Sequence, residues 1–91
     1  MNKFYTCHFD LVQVGKKVLT NLIFASLDKK NWVRIYNNDY TISNYNEIKS
    51  LLNPPLNKDG SRNTNNLVSI ITIIDLADKT KKPLTIKEVS Q

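Results

Sequence analysis

The chain has 91 residues, 41% hydrophobic and 23% charged, enough for one domain with a single core and close to the composition of ordinary folded domains. No apolar run approaches the roughly 20 residues of a membrane span, and the N-terminus has no signal-peptide h-region, so the expected location is cytoplasmic. A lone cysteine, Cys7, excludes an internal disulfide, and inside a strand it reads as a small buried hydrophobe rather than a reactive thiol.

Thirteen Lys and Arg against eight Asp and Glu leave a formal charge of +5, which favours an anionic partner such as DNA or RNA. Eleven of the thirteen are lysines, suited to diffuse phosphate attraction rather than bidentate reading of bases. Twelve asparagines, with many Lys and Ile, match the coding bias of an AT-rich genome.

Phe4 to Leu11 alternates as a strand, with Tyr5, Cys7, Phe9 and Leu11 on one side and Phe4, Thr6, His8 and Asp10 on the other. Residues 12–17 contain Gly15 and read as its exit. Val18, Leu19, Leu22, Ile23 and Leu27 share a helical face, and Lys29 and Lys30 suit a helix C-terminus. The competing reading turns at Gly15 and returns as a strand through Ser26, because Thr20, Ile23 and Phe24 favour strands and Lys16 and Lys17 are poor at a helix start. Helix is the favoured expectation.

Trp32 to Tyr36 alternates again. Asn37-Asn38-Asp39 carries turn chemistry, and Tyr40-Thr41-Ile42 is expected to pair back as a hairpin. Ser43 or Asn44 caps a short helix with Glu47 in the capping-box position, and Pro54-Pro55 stops it near Asn53. Residues 57–66 form a polar loop holding Lys58 and Arg62. Leu67 to Leu76 is apolar throughout and predicts a central strand covered on both sides. Residues 77–91 read as a charged linker and a tail strand over 84–89, pairing with an edge of its own or a neighbouring protomer.

Strand, helix, strand, strand, helix, strand is the α+β ferredoxin-like split βαβ order over residues 1–76, with a β-meander plus one short helix as runner-up. Handedness then puts both helices on one face, against Tyr5, Cys7, Phe9, Val33, Ile35, Tyr40 and Ile42. The open face carries Phe4, Thr6, His8, Trp32, Arg34, Tyr36 and Thr41.

Residues 3–76 resemble, in element order and in the Phe9-Asp10-Leu11 triplet, the small ferredoxin-like proteins grouped with the CRISPR adaptation nuclease-like subunit, the virulence-associated protein D toxins and the SinR-like proteins. The Asn31-Trp32-Val33 strand start and the Glu47-Ile48 helix occupy matching places. The resemblance implies a homodimer in which Asp10 of each chain shares a divalent metal such as Mg²⁺ for phosphodiester cleavage, or a structural nucleic-acid binder without cleavage. No second acid or Arg at a motif position supports Asp10, whose plainer role is to cap a turn.

As chemistry, Asp10 is the candidate metal ligand and catalytic carboxylate, with His8 on the same strand face as general acid or base or, more plainly, a packed residue. Phe4, Trp32 and Tyr36 read as a dimer interface or as base-stacking aromatics, with interface preferred. Lys16, Lys17, Lys29, Lys30, Arg34, Lys58 and Arg62 are the expected nucleic-acid contacts. No metal-binding Cys/His spacing and no phosphate-cradling glycine loop occurs. The leading expectation is a homodimeric nucleic-acid binder with weak metal-dependent nuclease action. Its rivals are a non-catalytic phage or mobile-element inhibitor that binds a host protein complex, and a structural subunit of a larger assembly.

Overall fold

The structure, a computed structural model, describes residues 2–13, 16–36, 40–54, 56–62 and 67–91; of residues 10–13 and 16–21 it describes the backbone alone. Its centre is a five-stranded, wholly antiparallel sheet. Strands β1 (Lys3–Gln13) and β2 (Lys16–Ser26) pair from Tyr5↔Ser26 to Gln13↔Lys16, and β3 (Asn31–Ile35) pairs with β2. A single 3-10 turn (Ile42–Asn44) leads into helix α1 (Tyr45–Leu52). Strand β4 (Leu67–Ser69) runs directly into helix α2 (Ile70–Thr80), and β5 (Ile86–Ser90) closes the chain. The sheet order is β4-β3-β2-β1-β5.

This overturns the ferredoxin-like expectation. Residues 16–26 are not a helix but the extended return of a long hairpin, as in the competing reading. The physical reason lies in the layers. Cys7, Phe9, Leu22, Phe24 and Trp32 pack beneath Ile73 and Ala77 of α2, while Phe4 and Ala25 pack beneath Ile48 of α1 on the opposite face. A strand buried on both faces is apolar on both, so residues 22–25 of β2 lose the alternation that marks a half-exposed strand and mimic part of a helical stripe.

Both helices therefore do not share a face, and no face is left open as expected. Phe4 and Trp32 are completely buried within the protomer, which removes them from any interface with a second chain. Tyr40 and Thr41 are not a strand. Thr41 caps the 3-10 turn instead, its hydroxyl accepting from the Ser43 N–H while its own N–H donates to Asn44 Oδ1 at 2.6 Å. The expected turn at 37–39 lies outside the described residues, as does the one at 14–15.

The run 67–76 is corrected as well. Only Leu67–Ser69 is a strand, and it lies at the sheet's edge. Ser69 ends it by N-capping α2, accepting from the Thr72 N–H. Ile70, Ile73 and Ala77 then follow a helical period toward the core, leaving Ile71 67% and Ile74 44% exposed. The expected tail strand forms as β5 and pairs with β1 of its own chain, so β1 is flanked on both sides.

Pairing is uneven along the hairpin. β5 accompanies β1 from Lys3 to Cys7, and β3 accompanies β2 from Ile23 to Ala25. Beyond these points β1 and β2 continue as a two-stranded ribbon, with register irregularities on either side of Leu11.

Candidate functional site: a cationic cleft and an aromatic groove sharing Tyr40

β5 begins at Ile86, opposite Cys7, so the corner beside His8 and Phe9 lacks a β5 neighbour. The chain reaches that corner because α2 ends at Lys81 in the left-handed conformation (φ 55°), with backbone N–H groups of Lys81 and Lys82 closing on Asp78 and Ala77 carbonyls. Pro83 prevents further helix. The resulting cleft holds about 370 Å³. It is lined by Thr6, His8 and Phe9 of β1, by Lys82, Thr85 and Lys87 of the C-terminal stretch, and by Tyr40.

Each polar group has a structural origin. Lys87 stands opposite Thr6 in the β1–β5 register, and cross-strand partners project to the same face. Thr6, 2% exposed, has its hydroxyl 3.3 Å from the Tyr40 hydroxyl. Tyr40 is braced from behind by an edge-to-face contact with Phe4, ring centroids 6.3 Å apart. Two ammonium groups, an imidazole and three hydroxyls line the cleft, and among the described residues no acidic side chain lines it. Such a donor set attracts a phosphate or similar anion.

Tyr40 also borders a second concavity of about 420 Å³ between the end of β3 and α1, lined by Arg34, Ile35, Tyr36, Asn44, Glu47, Ile48 and Leu51. Tyr36 is 84% exposed and carries the Arg34 guanidinium 4.8 Å from its ring centroid. Among the described residues the Arg34 Nε is buried without a hydrogen-bond partner. Asn44 is already committed, accepting from Thr41 N–H and donating to Glu47 Oε2 at 3.5 Å. The Glu47 carboxylate, exposed, gives this groove an anionic acceptor that the cleft lacks among the described residues.

The residues singled out from the sequence are scattered. His8 lies in the cleft. Asp10 sits in the ribbon part of β1, between the Phe9↔Leu22 and Leu11↔Leu19 pairs, and its side chain lies outside the described residues, as do those of Lys16 and Lys17. Lys29 and Lys30 occupy the β2–β3 turn, where the Asp28 carboxylate accepts from the backbone N–H groups of Lys30 and Asn31. Lys29 also lies 4.6 Å from the Tyr5 ring. Lys58 is exposed in the turn before Gly60, and Arg62 donates to Asn53 Oδ1 at 2.8 Å, tying its loop to the end of α1. Among the described residues no three of His, Cys, Asp and Glu gather as a metal ion would require, so no reaction step through Mg²⁺ follows from them.

Lys82, Thr85 and Lys87 are not among the residues that the sequence singles out, because residues 77–91 read as a linker and tail. The signal was present: Lys81-Lys82-Pro83 stands just before an alternating strand, and alternation assigns Lys87 the face opposite Ile86.

Comparison of the chain with protein-family models, with curated proteins and with solved structures yields no match. No helix among the described residues is long and apolar enough to cross a membrane.

Proposed function

We propose that this protein binds nucleic acid, holding backbone phosphates in the cleft walled by Lys82, Lys87 and Tyr40. One observation carries the reading: two lysines, an imidazole and three hydroxyls converge on a concave site that, among the described residues, no carboxylate lines, in a chain of charge +5. The ammonium groups supply long-range attraction, and the hydroxyls of Tyr40, steadied by Thr6, and of Thr85 supply short hydrogen bonds to phosphate oxygens. Phosphate contacts release counterions, so affinity must fall as salt rises. Binding to single-stranded and duplex DNA and RNA, titrated with salt, tests the proposal. Affinity indifferent to salt overturns it.

A second reading, a non-catalytic inhibitor of a host protein complex, draws on the solvent side of α2, where Ile71 and Ile74 stand exposed beside Asp75 and Asp78. One stoichiometric protein partner, held by the natural chain but not by an Ile71→Ser, Ile74→Ser variant and free of nucleic acid, would put this reading in place of the first.

A further inference from the structure

Resting on the nucleic-acid reading, the geometry points to a single unstacked nucleotide as the unit recognised: its phosphate in the cationic cleft, its base in the aromatic groove, and Tyr40 as the wall between them. The two concavities share that one side chain. Their chemistries differ. Among the described residues the cleft offers two ammonium groups and hydroxyls, whereas the groove offers aliphatic and aromatic surface with one guanidinium, Arg34, and one carboxylate, Glu47, whose charges offset. A phosphate is drawn to the cleft, the more cationic of the two.

The groove is equipped for a base. Tyr36 leaves 84% of its surface to solvent while Arg34 lies over its ring, a tyrosine–guanidinium platform on which a base stacks irrespective of its identity. Ile35 and Leu51 add apolar surface beside it. A base inside a duplex is already stacked and cannot enter, so the ligand is a single strand.

Glu47 adds a preference. A carboxylate accepts hydrogen bonds and donates none, so it suits a base bearing an exocyclic amino group, such as cytosine. Thymine and uracil present carbonyl oxygens on both sides of their N–H and repel it. Asn44 commits its amide to the Thr41 N–H and to Glu47 Oε2, a long contact of 3.5 Å that leaves the remaining lone pairs of the carboxylate to read the base.

The experiment compares short single strands of oligo-dC, oligo-dT and an abasic backbone of equal length, together with cytidine monophosphate, by fluorescence anisotropy or calorimetry. The natural protein should bind oligo-dC about 5- to 100-fold more tightly than the abasic strand, the range expected of one stacked base. Tyr36→Ala should erase that advantage and leave the salt dependence of abasic binding unchanged. Glu47→Gln should remove the margin of oligo-dC over oligo-dT, about fivefold or more. Equal, salt-dependent binding of oligo-dC and abasic strands overturns the base pocket while the phosphate reading stands. Binding of no strand overturns both. Cytidine monophosphate matching the strand assigns the pair of sites to a free nucleotide and overturns the single-strand ligand.

Discussion

Replacing Lys82 and Lys87 together by alanine removes both ammonium groups from the cleft and leaves Thr6, Tyr40 and His8 in place. Both lysines are exposed, and the ion pair found among the described residues joins Lys3 to Glu88 instead. The fold should therefore stay within about 0.5 kcal/mol of its original stability. On a single strand each phosphate contact contributes about −0.7 to the slope of log affinity against log salt, so two lost contacts make it shallower by about 1.4. Between about 50 and 200 mM salt, the unaltered protein should then lose roughly sevenfold more affinity than the variant. Anisotropy of a labelled strand at several potassium chloride concentrations measures both slopes, with a urea melt to confirm the fold. Lys58→Ala, in an exposed turn outside the cleft, should leave the slope as it was. An unchanged slope in the folded double variant, or an equal effect from Lys58→Ala, refutes the placement of phosphate in the cleft.

Burial pushes the Cys7 thiol up from 9.0 to about 11, so in the folded state it stays protonated where a free thiol ionises. Alkylation near pH 8 should be at least about 100-fold slower than in urea, as mass spectrometry would read. Because the raised value belongs to the folded state, stability is full below pH 9 and falls between 9 and about 11, by about 2–3 kcal/mol; Cys7→Ala should abolish that decline in urea midpoints. For Asp28, burial works to raise the carboxyl, but the backbone N–H groups of Asn31 and Lys30, with Ser26 and the Asn31 amide, outweigh it and hold it below 3.8. The stability it supplies is present above that value and lost as the pH falls further, and Asp28→Ala should cost about 1–2 kcal/mol at neutral pH, measured by urea unfolding. Ile73 is fully buried and Ile71 is 67% exposed. Ile73→Ala should cost about 2–5 kcal/mol, whereas Ile71→Ser should stay within about 0.5 kcal/mol; equal thermal shifts would contradict the orientation of α2.

Much of the local structure was legible because short-range chemistry decides it. Alternation from Phe4 to Phe9 placed β1, the Pro54-Pro55 stop placed the end of α1 at Asn53, and the strand pattern of the tail placed β5. Errors fell where a segment is buried on both faces or where a polar side chain settles between two conformations. The apolar positions of β2 satisfy a helical face and a two-sided strand equally well, and nothing within residues 16–26 says that a helix will cover each side. At Ser69 the chain changes from strand to helix inside one apolar run, because a hydroxyl there captures the Thr72 N–H. β-branched Ile70, Ile71, Ile73 and Ile74 read as strand until that cap is seen.

The candidate site was legible only in pieces. His8, Arg34 and Tyr36 stood out as residue types, yet the polar set that shares a cleft with His8 and neighbouring Thr6 comes from two distant parts of the chain: Tyr40 and residues 82–87.

Taken alone, the amino-acid sequence determined the net positive charge, the absence of an internal disulfide, the alternating first strand and the end of the short helix, all properties of composition or of neighbours within a few residues. Tertiary structure decided which side of the sheet each helix covers, and therefore that Trp32 and Phe4 are core while Lys82, Lys87 and Tyr40 meet. The reason is physical: hydrophobic burial is non-directional, so a strand's apolar residues state that they must be covered without stating by what. That choice belongs to the packing of the whole chain.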